Sequence, residues 1–217
     1  MPIPTWRHGW RRVAAPYQFA SEGRDRAWEV ASVLIMLLGV GIRLYVAGVG
    51  PPRGPAERES SSGLDTSGPY SVVRHPLRAA TLIVVFGFSL FPHVGVQPPV
   101  VLALALAHSA YRIRRDEARL RERFGAAFDR WAARVPALVP RLSGPVPARR
   151  PFDWRVALRR EHAWVAGILV APFFLDIAED SWSTHGQLIV DPMWAVTALL
   201  GLAALLLLRS PAPSTGG

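Results

Sequence analysis

The chain has 217 residues, of which 50% are hydrophobic, and it carries a formal net charge of +9 with no cysteine. Its size fits one domain or one small membrane bundle, and the lack of cysteine excludes disulfides, thiolate metal sites and a cysteine nucleophile. All 25 basic residues are arginine. This composition argues against a soluble enzyme or a disordered tail, because so many apolar residues must cluster away from the charges.

Apolar segments follow a polar start. Residues 1–26 are basic and rich in tryptophan, which is typical of a segment that lies at the membrane surface. We predict an all-α, multi-span transmembrane helical bundle, because about five runs have roughly the length that crosses a bilayer. The spans lie near residues 27–49, 77–94, 98–111, 162–177 and 188–208, in a single integral-membrane domain over residues 27–208. Residues 209–217 read as a disordered tail.

The distribution of arginine predicts the topology. Residues 112–160, which we interpret as a cytoplasmic helix and linker, hold 14 of the 25 arginines. The hairpin of the second and third spans then enters and leaves the membrane at the cytoplasmic face. The first span would start outside, where the five N-terminal arginines oppose the rule, so the N-terminal orientation stays open. We expect the arginines to face anionic headgroups and expect no nucleic acid partner.

The loop before the second span ends in Arg74, His75 and Pro76. Pro76 disfavours helix at His75 and suits the first turn of the helix that follows. The start of this helix attracts anions, and Arg74 and Arg78 flank it. A cation in the first turn opposes the helix dipole, so we expect a bound anion there. The alternative is an interfacial helix start that holds phospholipid headgroups.

The charged helix after the third span carries a carboxylate on its apolar face. The apolar residues recur at helical spacing and are Ile113, Leu120, Phe124, Phe128, Trp131 and Val135. Glu117 lies about 40° from Ile113 around the helix, inside this stripe, and Asp116 lies at its edge. Either Glu117 is a surface residue paired with Arg121, or it receives a cationic ligand or an arginine from another segment. Gly125 interrupts the helix and could reset the face.

Two other polar features have open interpretations. Arg43, near the end of the first span, either extends to the interface or helps to place an anion. Asp176, Glu179, Asp180 and His185 follow the fourth span, but acidic loop ends are common and we predict no metal site.

The sequence resembles a known family. GPYSVVRHPL, a two-helix hairpin and then RRDEARLRERFGAAFDRWAARVPALVP look like the integral-membrane isoprenylcysteine carboxyl methyltransferase and phospholipid methyltransferase family. The later FDWRVALRREHAW resembles a bacterial branch of it. The resemblance covers residues 64–140 best. It implies an S-adenosylmethionine-dependent methyltransferase in the bacterial inner membrane, with the active site facing the cytoplasm and a lipid-like or prenylated acceptor among the membrane lipids.

The resemblance also implies which residues form the site. The cofactor-binding residues would be Tyr70, Arg74, His75, Pro76, Asp116 and Glu117. The candidate catalytic residues, Arg74, His75 and Arg78, follow from their own chemistry, because arginines place an anion and histidine can act as a base. Arg78 stands where the family has tyrosine, which indicates a more anionic substrate or a site without turnover, and Asp116 replaces a glutamate.

We expect transfer to a carboxylate or phosphate oxygen, because arginines place such an anion and no general base is needed. For an amine acceptor, His75 would be the base. The alternative is a non-catalytic membrane protein of the same fold that binds lipid headgroups or a partner.

Overall fold

The computed structural model describes residues 22–50, 63–91, 95–141, 144–183 and 192–207. In these ranges the chain is helical and contains no β-strand, which confirms the all-α prediction. The α-helices are α1 (Glu22–Val49), α2 (Pro76–Leu90), α3 (Gln97–Phe124), α4 (Ala126–Ala132), α5 (Trp154–Ser183) and α6 (Pro192–Leu207). A short 3-10 helix, Gly68–Ser71, precedes α2. The predicted tail and most of the predicted interfacial segment lie outside the described residues.

Helix α1 suits a membrane span by length and composition over Arg26–Val49, and it is the one such helix in the described ranges. Shorter apolar helices occur at Pro76–Leu90 and Ala195–Leu206. Helix α3 runs from the third apolar run into the charged segment without a break. It ends at Phe124, and the φ of 50° at the following Gly125 lies in the left-handed region that favours glycine.

The described residues form two compact units. The first includes those within 1–38, 83–105 and 162–217. Its helices approach closely at glycines, because a Cβ atom at Gly87 would lie 2.8 Å from the Ser32 carbonyl oxygen and one at Gly201 would lie 2.9 Å from that of Ala166. Several large apolar side chains are 59–67% exposed, namely Leu34, Leu38, Leu104, Leu199 and Leu206. Small residues inside and large apolar residues outside are typical of helices that pack in lipid.

The second unit consists of the described residues within 39–82 and 106–161, and it contains every residue predicted for the site. The side chain of Arg160 donates to the Ala47 carbonyl oxygen at 2.8 Å, which satisfies the C-terminal end of α1. Asp153 caps the start of α5, because its carboxylate accepts hydrogen bonds from the Arg155 and Val156 main-chain N–H groups at 2.8 and 3.1 Å. A carbonyl group at the end of α1 and two main-chain N–H groups at the start of α5 therefore have side-chain hydrogen-bond partners.

Candidate functional site

The backbone of the Arg74–His75 turn is fixed by the chain that follows α4. The main-chain N–H of Arg74 donates to the Pro136 carbonyl oxygen at 2.8 Å, and that of His75 donates to the Ala137 carbonyl oxygen at 3.1 Å. We call residues 136–141 the brace. Pro136 and Pro140 cannot donate main-chain hydrogen bonds, so they disfavour another helical turn in this segment. Through these two hydrogen bonds the brace fixes the backbone of Arg74 and His75.

His75 occupies the start of α2, as the sequence predicts. Its carbonyl oxygen accepts hydrogen bonds from the main-chain N–H groups of Arg78 and Ala79, both at 3.0 Å, and Pro76 is the first helical residue. Because proline has no N–H group to leave unpaired, this position suits it. The side chains of Arg74 and His75 are therefore set by a rigid turn.

Glu117 lies against this turn. His75 Nε2 is 3.0 Å and Arg74 Nη1 is 3.3 Å from Glu117 Oε1, and the Glu117 side chain is 16% exposed. Arg121 pairs instead with Asp129 at 2.8 Å. The interpretation in which Glu117 receives an arginine from another segment is confirmed, and the surface pairing with Arg121 is wrong.

Arg78 also has a partner within the protein. Its Nη2 atom lies 2.5 Å from Asp116 Oδ2, and both side chains are partly exposed. The carboxylate beside Arg78 belongs to Asp116, and the bound anion expected at the first turn of α2 stays a prediction. The ion pair with Asp116 therefore holds the Arg78 side chain against α3.

Arg43 does not extend to an interface, and that interpretation is wrong. Arg43 is buried, and its Nε and Nη2 atoms donate to Glu161 Oε2 at 2.8 and 2.6 Å. Its Nη1 donates to Thr81 Oγ1 at 2.5 Å. Sequence reasoning missed Glu161, which is fully buried at the start of the fourth apolar run. The available signal was Arg43 within the first apolar run, because a buried charge is costly unless it has a partner.

The environment of His75 favours its neutral form. Burial lowers the pKa of His75 from its usual 6.5, and the nearby Arg78 and Arg74 act in the same direction. The hydrogen bond and the charge of Glu117 oppose this shift in pKa. At neutral pH the Nε2–H group therefore donates to Glu117, and Nδ1 is the basic nitrogen of the ring.

Two cavities border the turn. One has a volume of about 300 Å³ and is lined by Arg43, Tyr70, Arg74, His75, Pro76, Leu77, Arg78, Thr81 and Asp116. The other has a volume of about 430 Å³ and is lined by Leu64, Asp65, Tyr70, Arg74, His75, Asp116, Arg119, Leu120, Arg123 and Trp131. Both volumes fall in the range of small-molecule sites. The two cavities share a wall of four residues, Tyr70, Arg74, His75 and Asp116.

The six residues predicted for the cofactor are thus brought together. Five of them line the smaller cavity, and Glu117 lies behind the wall and orients Arg74 and His75. The Arg74 Nε atom is buried and has no hydrogen-bond partner among the described residues. A buried donor without an acceptor is costly in the absence of a ligand, and this one suits an anionic group.

The described residues contain no group of three or more histidine, aspartate or glutamate side chains that could hold a metal ion. The acidic cluster after the fourth span, residues 176–185, lies outside the described side chains.

Comparison with known proteins gives two relatives. The chain is 29% identical over 200 residues to the cobalt-zinc-cadmium resistance protein CzcN of Cupriavidus metallidurans, a match that covers 87% of this chain and 80% of that protein. It is 32% identical over 128 residues to the nickel-cobalt-cadmium resistance protein NccN of Alcaligenes xylosoxydans xylosoxydans, which covers 55% of each chain. No family model and no solved structure matches the chain. The chain is therefore similar to bacterial proteins whose names refer to metal resistance.

Proposed function

We propose that the protein is a membrane-embedded, S-adenosylmethionine-dependent methyltransferase that acts on a lipid-like or prenylated acceptor at a carboxylate or phosphate oxygen. The observation that carries the proposal is the shared wall between the two cavities, where Arg74 has a buried donor without a partner. The sequence resemblance to isoprenylcysteine carboxyl and phospholipid methyltransferases rests on the segments that build this wall.

The proposal includes a membrane location. Helix α1 suits a span, and the exposed leucines of α1, α3 and α6 suit contact with lipid. We propose a bundle of about five spans in the bacterial inner membrane. The arginine-rich segment 112–160 supports a site that faces the cytoplasm.

The larger cavity has the chemistry that S-adenosylmethionine requires. Arg74, which lines both cavities, would bind the cofactor carboxylate through its guanidinium group. Asp65 and Asp116 would face its ammonium and ribose hydroxyl groups, and Trp131 and Tyr70 would contact the adenine ring. The bound cofactor supplies a methyl group that is already activated by the sulfonium charge. Glu117 would act through Arg74 and His75 and is a positioning residue.

The smaller cavity suits the acceptor. Its polar lining includes Arg74 and Arg78, which would place a carboxylate or phosphate oxygen at the shared wall. The apolar part of an acceptor would extend along Leu77 on α2. An anionic oxygen needs no base, so alignment and the exclusion of water are the main tasks of the residues here. For an amine acceptor, Nδ1 of neutral His75 is the candidate base.

One experiment separates this proposal from the alternative, a non-catalytic protein that binds headgroups or a partner. The full chain, purified in detergent, is titrated with S-adenosylmethionine by calorimetry, and membranes are incubated with the methyl-labelled cofactor. We expect binding of the cofactor and one labelled lipid or prenylated species. Absence of cofactor binding would overturn the proposal. Binding without any labelled product would favour a site that no longer turns over, as the Arg78 departure allows.

The names of the relatives suggest a physiological role. We propose that methyl transfer by this chain contributes to tolerance of cobalt, zinc, cadmium or nickel. A strain that lacks the protein should regain tolerance with the wild-type chain and not with Glu117→Gln. Recovery with Glu117→Gln would separate tolerance from the proposed site.

A further inference from the structure

A third cavity lies in the same unit and shares Trp131 with the wall of the proposed cofactor site. It has a volume of about 380 Å³ and contains three arginines, Arg130, Arg134 and Arg141, in its wall. The rest of the lining is apolar or neutral, so the described wall holds no carboxylate. Like charges that converge in a cavity repel one another unless an anion balances them.

The neighbouring carboxylate is already used. Asp129 precedes Arg130 in α4, but its Oδ1 atom accepts a hydrogen bond from Arg121 Nε at 2.8 Å. This pair joins α4 to the end of α3 and leaves the charge of the cavity uncompensated by Asp129. Asp129 is next to Arg130 in the sequence, but its carboxylate is paired with Arg121 and not with an arginine of the cavity.

The cavity is built on a fixed backbone. The Arg141 side chain donates to the Arg134 carbonyl oxygen at 2.8 Å, which keeps the two residues side by side. On the opposite wall, the main-chain N–H of Val146 donates to Ser71 Oγ at 3.0 Å, and that of Gly68 donates to the Val146 carbonyl oxygen at 2.9 Å. The Arg141 side chain, held by its hydrogen bond to the Arg134 carbonyl oxygen, loses little freedom when an anion binds.

We propose that this cavity binds the phosphate group of an anionic ligand, and that Arg130 and Arg134 are its main contacts. Planar guanidinium groups bind phosphate through paired hydrogen bonds, and a volume of about 380 Å³ admits a phosphate with a glycerol-sized substituent. The chemistry is shared by an acidic phospholipid headgroup and by free phosphate. The proposal is independent of methyl transfer, since its main contacts, Arg130 and Arg134, line neither of the other two cavities.

The test uses the full chain in a zwitterionic detergent and calorimetric titration with dihexanoylphosphatidylglycerol, dihexanoylphosphatidylcholine or inorganic phosphate. We expect phosphatidylglycerol or phosphate to bind, and phosphatidylcholine to bind at least about tenfold more weakly, because its choline balances the phosphate charge. Binding of phosphatidylglycerol alone identifies a lipid headgroup, whereas equal binding of inorganic phosphate identifies free phosphate. Binding of neither anion, or equal binding of the two lipids, overturns the proposal.

Variants locate the site. Arg130→Gln with Arg134→Gln should weaken anion binding by about tenfold for each arginine removed. Arg112→Gln with Arg114→Gln removes the same charge from exposed positions of α3 outside the cavity and should change binding less than about twofold. Equal losses in both double variants would show a general charge effect and refute the site.

A second pair of substitutions distinguishes loss of anion binding from loss of folding. Arg130→Lys with Arg134→Lys keeps the charge and removes the paired geometry, so binding should fall by about three- to tenfold while the circular dichroism spectrum stays unchanged. Lysine variants that fold and bind like the wild type would contradict recognition by the guanidinium groups. Either result is informative without any assay of S-adenosylmethionine.

Discussion

Replacing Glu117 by glutamine tests the proposed cofactor site most directly. The change keeps the size of the side chain and removes its charge. In the structure the carboxylate accepts a hydrogen bond from His75 Nε2 at 3.0 Å and pairs with Arg74 Nη1 at 3.3 Å. Glutamine can keep one of these contacts but cannot balance the Arg74 charge. Arg74 lines both cavities, so any change in its position affects the whole site.

The expected losses differ for stability and for binding. The Glu117 side chain is 16% exposed, so weakening one charge-assisted contact should lower the free energy of unfolding by about 1 kcal/mol. Cofactor binding depends on the orientation of both Arg74 and His75. We expect the Kd for S-adenosylmethionine to rise by about 30-fold, which is about 2 kcal/mol.

The assay combines calorimetry with thermal unfolding of the detergent-purified chain. Glu122→Gln is the matched control, since Glu122 is exposed on the same helix and lies outside both cavities. It should change neither the Kd nor the melting temperature appreciably. Unchanged affinity in Glu117→Gln, or equal losses of affinity and of stability, would refute the reasoning and make Glu117 a structural residue.

Four further predictions concern pH, buried charge, the acceptor and the backbone. The pKa of His75 in the folded chain lies below 6.5. Its neutral ring therefore contributes stability above about pH 6.5 that is lost as the pH falls. In His75→Gln, the curve of melting temperature against pH should be flatter over this range. Arg43→Met leaves the fully buried Glu161 without its arginine and should cost about 3–5 kcal/mol in denaturant unfolding, and adding Glu161→Gln should recover part of it. Arg78→Tyr introduces the tyrosine found at this position in the methyltransferases that the sequence resembles, and should reduce transfer to anionic acceptors more than cofactor affinity, as labelled-methyl assays with each acceptor would show. Unchanged transfer would contradict the proposed role of Arg78. Gly125→Ala should lower stability in thermal melts by about 1 kcal/mol, because φ is 50°.

Local patterns in the sequence predicted much of the site. The apolar stripe of α3 placed Glu117 on the face that packs against the turn, because helical spacing determines which side chains share a face. Pro76 predicted the start of α2, because its ring fixes the backbone and removes a donor. Both signals act within a few residues. Such local geometry depends little on the rest of the fold.

Other parts of the site had no local signal. The brace is held by main-chain hydrogen bonds from Arg74 and His75 to Pro136 and Ala137, and main-chain groups are the same at every position. The partner of Arg43 could not be chosen from the sequence, since the chain has 16 acidic residues. Burial selected Glu161, and burial depends on the packing of helices that are distant in the sequence.

The charged pairs inside the second unit explain how apolar helices with little side-chain specificity can adopt one alignment. His75 and Glu117 are 42 residues apart, Arg78 and Asp116 are 38 apart, and Arg43 and Glu161 are 118 apart. Apolar contacts between helices tolerate a shift of one turn, since one leucine replaces another. A shift of this kind would leave Arg43 or Glu161 buried without its partner, at a cost of several kcal/mol. The same pairs that fix the alignment hold Arg74, His75 and Arg78 at the cavity wall, so the stability of the second unit and the geometry of the proposed site have a common origin.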